Sequence, residues 1–222
     1  MKQKNIKEGD FMKVSVSYLN VKKRNIPKVI YLLDKTNVDF IHVDVMDGKY
    51  VKNKANSFSE VQEVDYYTQK RLDVHFMVNK PLKYIDDFAL LDVFCMTFHL
   101  NIKNDLDDVI DRCHAYGIKA GIAINPDEDV DLIDKYLDKI DLVLVMSVVP
   151  GLPGQEFIKD VIPKIKKLKD KIKNSKRDIL INVDGGINLE NKNFLGDADI
   201  LSVGSTITNS ENYASIIDEL KS

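Results

Sequence analysis

Cysteine is scarce in this chain of 222 residues: Cys95 and Cys113 are the only two. That excludes a disulfide framework and fits a reducing compartment. Charge of one sign is not in excess, since the formal net charge is -3, and no global field favours nucleic acid or an anionic membrane. Long apolar runs are missing as well. The greasiest stretch, "LVLVMSVV" (142–149), is too short to span a bilayer, and the opening "MKQKNIKEGDFM" (1–12) has no apolar core of the signal-peptide kind. A cytoplasmic protein without membrane or nucleic-acid partners is therefore expected, with residues 1–12 as a polar lead-in and Met12 as an alternative start. Two further absences bear on chemistry. "SVSYLNV" has no glycine after the first apolar run, as a dinucleotide-binding open sheet usually requires, and no apolar run ends in the lysine that a barrel aldolase or decarboxylase would use.

What is present is a regular alternation. Short apolar runs occupy 13–18, 40–46, 72–78, 93–100, 119–124, 142–148, 178–184 and 200–204, and stretches of helical spacing separate them. "IPKVIYLLDKT" carries Pro27 where a first helical turn accepts it, and "DDVIDRCHAYG" places Val109, Ile110, Cys113 and Tyr116 on one stripe before Gly117. Strand then helix, repeated eight times without a linker, predicts one domain over 13–222 with a closed (β/α)8 TIM barrel.

The strand ends carry unexpected residues. In "HVDVMDG" (42–48) the alternation that turns Val43 and Val45 outward turns His42, Asp44 and Met46 inward. "LDVHFMV" repeats the rhythm with Asp73, His75 and Met77, and "INVDGG" with Asn182 and Asp184. A single histidine on a strand is most simply a hydrogen-bonded core residue. Four imidazole and carboxylate groups at equivalent strand ends, His42, Asp44, His75 and Asp184, instead suit a mixed N/O site for one divalent ion such as Zn, Mn, Fe or Co. Asp73 lies one layer deeper and reads as an orienting group or a structural hydrogen-bonder rather than a ligand; Asp47 reads as a turn residue. His99 is open between the site wall and the core.

Glycines form a second group. "VVPGLPGQ", "DGG" and "VGS" follow the last three strands, so Gly151, Gly154, Gly185, Gly186, Gly204 and Ser205 offer backbone N–H groups to a phosphate. Tight turning is the plainer reading of any one of them; their clustering beside a metal-type site favours a phosphorylated substrate. The run "PKIKKLKDKIKNSKR" carries Ile165, Leu168 and Ile172 at helical spacing, so its lysines are read as a solvated helix face.

With "HVDVMDG", "DVHFMV", "TFHL", "VMSVVPG" followed by "GQ", "NVDGGI" and "VGS" in this order, the chain resembles the ribulose-phosphate 3-epimerase family from residue 13 onward. The resemblance implies a ribulose-phosphate-binding type of barrel, an ion held by His42, Asp44, His75 and Asp184, and Asp44 and Asp184 as the acid/base pair. It further implies that Ser17 and His75 reach the substrate, that Met46, Met77 and Met146 wall the reacting carbon, and that the molecule is a homo-oligomer. The implied reaction interconverts D-ribulose 5-phosphate and D-xylulose 5-phosphate through an enediolate. Pro153, Asn101 and Lys52 depart from the family pattern. They leave open an allulose-6-phosphate 3-epimerase, and a non-catalytic sugar-phosphate binding protein is the further alternative.

Overall fold

The computed structural model describes residues 12–175 and 177–222; the expected lead-in lies outside them apart from Met12. Eight parallel strands close a barrel in the order β1 (Lys13–Ser17), β9 (Ile200–Val203), β8 (Leu180–Asp184), β7 (Leu142–Met146), β6 (Lys119–Ile124), β5 (Val93–His99), β4 (Arg71–Met77) and β2 (Phe40–Asp47), with β2 returning to β1. All eight expected strands are found. A short antiparallel strand, β3 (Lys54–Ala55), pairs with the end of β2 and was not foreseen.

The alternation places each face as expected. Ile41, Val43, Val45, Val74, Phe76, Ile181 and Val183 pack outward in one cluster with Val29, Ile30 and Leu33 of α1 (Ile26–Leu33), Val61 and Val64 of α2 (Phe58–Tyr67) and Val109, Ile110 and Cys113 of α4 (Leu106–Ala115). Each such burial contributes about 1.5–3 kcal/mol. Ile165 and Leu168 of α5 (Ile162–Lys173) and Ile217 and Leu220 of α7 (Tyr213–Lys221) complete the ring. α3 (Ile85–Phe88) and α6 (Ser205–Thr208) are single turns. The solvated face expected of the α5 lysines is found in part: Lys167 pairs with Asp129 and Lys171 with Asp134, whereas Lys164 turns inward, its Nζ donating to the carbonyls of Asn125 and Pro126 at 2.9 Å each.

The regular strand–helix repeat breaks at two crossovers, β6 to β7 and β8 to β9, the second of which carries only a 3-10 turn, Lys192–Phe194. Between β6 and β7 the chain forms a 3-10 helix, Val130–Tyr136, whose buried residues Val130, Ile133 and Tyr136 recur every third position, the spacing of a three-residue turn. Tyr116 also departs from its expected stripe. It caps α4 in an exposed position and its hydroxyl donates to Asp86 Oδ1 at 3.2 Å. Among the described residues, no helix is long and apolar enough to cross a membrane.

At the N-terminal rim one device recurs. The residue just before β2, β7 and β9 is an aspartate whose N–H donates to the neighbouring strand and whose carboxylate accepts from that same residue. Asp39 exchanges these bonds with Val14 (3.0 and 2.8 Å), Asp141 with Ala120 (2.9 and 3.0 Å) and Asp199 with Ile181 (2.8 and 2.8 Å). A cation covers each carboxylate: Lys221, Arg177 and Lys169 respectively. Burial opposes ionisation of Asp141, but the Ala120 N–H, His114 and Arg177 hold its carboxyl below the usual range.

Asp141→Ala is expected to lower the unfolding free energy by about 1–3 kcal/mol, read by urea denaturation at neutral pH. Because the folded pKa is depressed, this contribution is present above the ordinary carboxylate range and is lost as pH falls through the folded value. The gap between wild type and variant should narrow on acidification, and a gap that widens would contradict the role.

Candidate active site

The C-terminal ends of β2, β4 and β8 bring His42, Asp44, His75 and Asp184 together, one ligand-type atom of each lying within 4.8 Å of the others. Strand register explains this: β2 pairs with β4 so that Asp44 faces His75 and His42 faces Asp73. His42 turns Nε2 to the centre, 3.4 Å from Asp44 Oδ1 and 3.8 Å from Asp184 Oδ2. His75 turns Nδ1 there, 3.2 Å from Asp44 Oδ1 and 3.9 Å from Asp184 Oδ2. Ser17 Oγ donates to Asp44 Oδ2 at 3.0 Å.

Beneath this set lies a polar layer that the sequence disclosed only in part. Asp73 Oδ2 accepts from Ser15 Oγ (3.0 Å) and Asn182 Nδ2 (3.1 Å) and meets His42 Nδ1 at 2.8 Å. Ser202 Oγ donates to Asn182 Oδ1 at 3.0 Å. Asp73 thus orients His42 as expected of it. Ser15 and Ser202 gave no signal beyond their inward parity, since small hydroxyls serve any barrel interior. Asn56 was also missed: it has a positive φ of 52° and its side-chain amide donates to the Asp44 carbonyl at 2.9 Å. Asp47 is a turn residue, its Oδ1 accepting from the N–H groups of Lys49 and Tyr50. His99 is fully buried, its Nε2 2.8 Å from His75 Nε2.

The electrostatics separate the two central aspartates. Burial would raise Asp44, yet the His42 and His75 imidazoles override it and hold that carboxyl well below the usual range. Burial, only partly offset by His42, pushes Asp184 up to about 6, and the Asp44 charge adds to the rise. His42 would be lowered by burial, but Asp44, Asp73 and Asp184 raise it well above its ordinary value. Burial and the neighbouring His75 hold His99 well below its ordinary value.

The donor set fits a divalent ion. Among the described residues His42 Nε2 is buried without a hydrogen-bond partner while pointing at two carboxylates, and Asp73 at its Nδ1 fixes the ring in the carboxylate–histidine arrangement that leaves Nε2 free to ligate. Two imidazole nitrogens and two carboxylates suit a borderline metal.

Above the set opens a cavity of about 490 Å³, lined by Ser17, Asp44, Met46, Met77, Met146 and Asp184 at its floor and by Gly151, Gly154, Gly185, Gly186, Gly204 and Ser205 along one wall. At Gly185 (φ 114°) a Cβ would lie 2.3 Å from Val148 Cγ2, and at Gly186 (φ 64°) it would lie 2.5 Å from the Phe157 nitrogen, so only glycine lets the first pack under the Val148 side chain and the second approach the Phe157 backbone. Pro153 sits on the same wall and has no N–H to give. Asn53 Nδ2 donates to the Gly151 carbonyl at 2.8 Å, joining the loops after β2 and β7 over the mouth.

Fold and site define a (β/α)8 barrel with a His/Asp donor set at the C-terminal mouth and a glycine wall beside it. Comparison with known proteins narrows this class. The model of the ribulose-phosphate 3 epimerase family matches residues 13–208. The chain is similar to the ribulose-phosphate 3-epimerase of Buchnera aphidicola, with 40% identity over 205 residues covering 90% of each chain, and to that of Bacillus subtilis, with 35% identity covering 95% of this chain and 98% of the relative. The one from Escherichia coli is 33% identical over 83% of each. Among solved structures, 3-hexulose-6-phosphate synthase from Salmonella typhimurium superposes with a TM-score of 0.65 at 19% identity over 95% and 97% of the two chains, and tryptophan synthase subunit alpha from Campylobacter jejuni with 0.66 at 16% over 96% and 95%. These two likenesses concern the fold alone. The chain belongs to the ribulose-phosphate 3-epimerase family and is an isomerase, an epimerase acting on carbohydrates.

Asp73→Ala would leave Ser15, Asn182 and His42 Nδ1 without their shared acceptor. A loss of about 3 kcal/mol is expected from equilibrium unfolding; a loss below about 1 kcal/mol would remove Asp73 from the role of central acceptor.

Proposed function

We propose that this protein is a metal-dependent 3-epimerase of a ketose phosphate, interconverting D-ribulose 5-phosphate and D-xylulose 5-phosphate by two-base proton transfer, with the barrel from residue 13 to 222 as its single domain. One observation carries the reading: Asp44 and Asp184 enter one cavity floor from β2 and β8, with the His42 and His75 nitrogens between them. Inverting a carbon beside a ketone requires a base on one face and an acid on the other, and two carboxylates brought in by different strands would supply both.

His42, Asp44, His75 and Asp184 would hold the ion. Bound there, a divalent cation supplies Lewis-acid polarisation of a ketone and neutralises negative charge that develops on its oxygen. One aspartate takes the proton from carbon 3 and leaves an enediolate; the other returns a proton to the opposite face. Ser17 fixes the Asp44 carboxylate through Oδ2 and reaches the substrate. Met46, Met77 and Met146 cover the reacting carbon with apolar, polarizable surface, which excludes water and offers no stray proton. The N–H groups of Gly185, Gly186, Gly204 and Ser205 receive the phosphate, with Gly151 and Gly154 on the loop above. Buried free Cys95 and Cys113 suit a cytoplasmic setting, and a homo-oligomer is the expected assembly.

Purified protein is expected to carry about one divalent ion per chain, and His75→Ala to lose most of it while the barrel stays folded. Elemental analysis beside circular dichroism reads both, and full occupancy in the variant would remove His75 from the site.

Proton exchange in deuterated water, run with ribulose 5-phosphate and allulose 6-phosphate in parallel, tests the reaction and the chain length it prefers. Asp184→Asn and Asp44→Asn, compared at measured metal content, should lower epimerisation by at least about 100-fold while a metal-loaded variant still washes the substrate proton out through its surviving aspartate. Undiminished epimerisation in metal-loaded Asp184→Asn would refute the two-base mechanism, and no exchange with either substrate in the wild type would favour a sugar-phosphate binding protein.

A further inference from the structure

His99 closes β5, does not line the substrate cavity and has no role in the mechanism above. Its imidazole is nevertheless enclosed by two other rings. The His75 ring meets its Nε2 edge, with centroids 5.0 Å apart and planes tilted by 38°, and the Tyr50 ring packs against it at 4.8 Å. Tyr50 is itself fixed at both ends, its N–H donating to Asp47 Oδ1 at 2.8 Å and its hydroxyl to Asn101 Oδ1 at 2.7 Å. Asp47 in turn accepts the Asn79 N–H at 3.0 Å, tying the loop after β2 to the end of β4. The His99 ring therefore has little room to swing away from its neighbour.

The direction of the imidazole–imidazole contact follows from His75. That residue presents Nδ1 to Asp44 and Asp184, and it can offer a lone pair there only as a neutral ring with its proton on Nε2. The Nε2–H points at His99 Nε2, 2.8 Å away, so His99 must accept and must carry its own proton on Nδ1. Among the described residues His99 Nδ1 is buried without a partner, which makes an imidazole costlier here than a phenyl ring would be. What the imidazole adds is one acceptor, aimed at His75. The contrast with His42 is chemical: Asp73 holds that ring with a carboxylate, whereas His99 would hold its counterpart with a neutral group, adding no further negative charge beside Asp44 and Asp184.

We propose that His99 is a positioning residue that accepts a hydrogen bond from His75 Nε2–H and so keeps His75 Nδ1 facing Asp44, Asp184 and His42. The proposal rests on the reading of His75 as a metal ligand, and its test separates the two.

In zinc-loaded wild-type protein labelled with nitrogen-15 histidine, the two-bond correlation spectrum reports which nitrogen of each ring is protonated. His99 should be protonated on Nδ1 and His75 on Nε2; His99 protonated on Nε2 would overturn the proposal, and no variant has to fold for this to be seen. Calorimetric titration of zinc into metal-free protein supplies the second arm. His99→Phe should bind about 10–100-fold more weakly than wild type, and His99→Gln, whose amide oxygen can accept the same bond, should recover part of the loss. Wild-type affinity in His99→Phe would overturn the positioning role while leaving the metal site standing. A wild type that binds no zinc would instead overturn the ligand reading of His75, and this proposal with it.

Discussion

Asp73 is almost wholly buried, 1% exposed, and a lone carboxylate there would cost several kcal/mol. It is tolerated because one of its oxygens meets Ser15, His42 and Asn182 together. Those partners come from β1, β2 and β8, and Ser202 of β9 joins them through Asn182. The orientation of His42, the direction of its free nitrogen and the mutual placement of five strands all follow from satisfying this single group. Without it the layer above would have no fixed floor.

The interior is consequently divided. In the layer of Asp73, one side, from β4 round through β2, β1 and β9 to β8, is polar and hydrogen-bonded. The other, along β6 and β7, is filled by Ala123, Leu142, Leu144 and Met146, while Phe40 stacks on Phe94 at 4.1 Å below. Gly121 belongs to the crowded region, because a Cβ there would lie 2.6 Å from Thr97 Oγ1. At the floor itself the ionisable groups of β2, β4 and β8 alternate with Met46 and Met77 of β2 and β4 and Met146 of β7. A substrate resting on it meets charge at its reacting atoms and methionine beside them.

Alternation along the chain is what made the strands and their inward residues legible. His42, Asp44, His75 and Asp184 stand out because imidazole and carboxylate are costly on a face that should be apolar. The same alternation could not say which residue lies beside which across a seam, since that depends on register. The partnerships of Asp73 with Asn182, of Ser202 with Asn182 and of His75 with His99 were hidden for that reason. The 3-10 crossover at Val130–Tyr136 was hidden for another: three residues per turn and three to four per turn differ little over two turns. β3 is two residues long, too short for any period to be read from it.

The reciprocal aspartate bonds at the rim bear on how the barrel finds its stagger. A strand displaced by one residue would turn its inner face outward, and a closed barrel admits only one shear for a given pairing. Asp39, Asp141 and Asp199 each need an N–H and a carbonyl from the same residue of the neighbouring strand. In a slipped pairing the carboxylate would face a side-chain row or a carbonyl, and its charge would repel where it now attracts. The three clasps thus act as a vernier: they are satisfied only at the correct alignment, at the edge farthest from the chemistry.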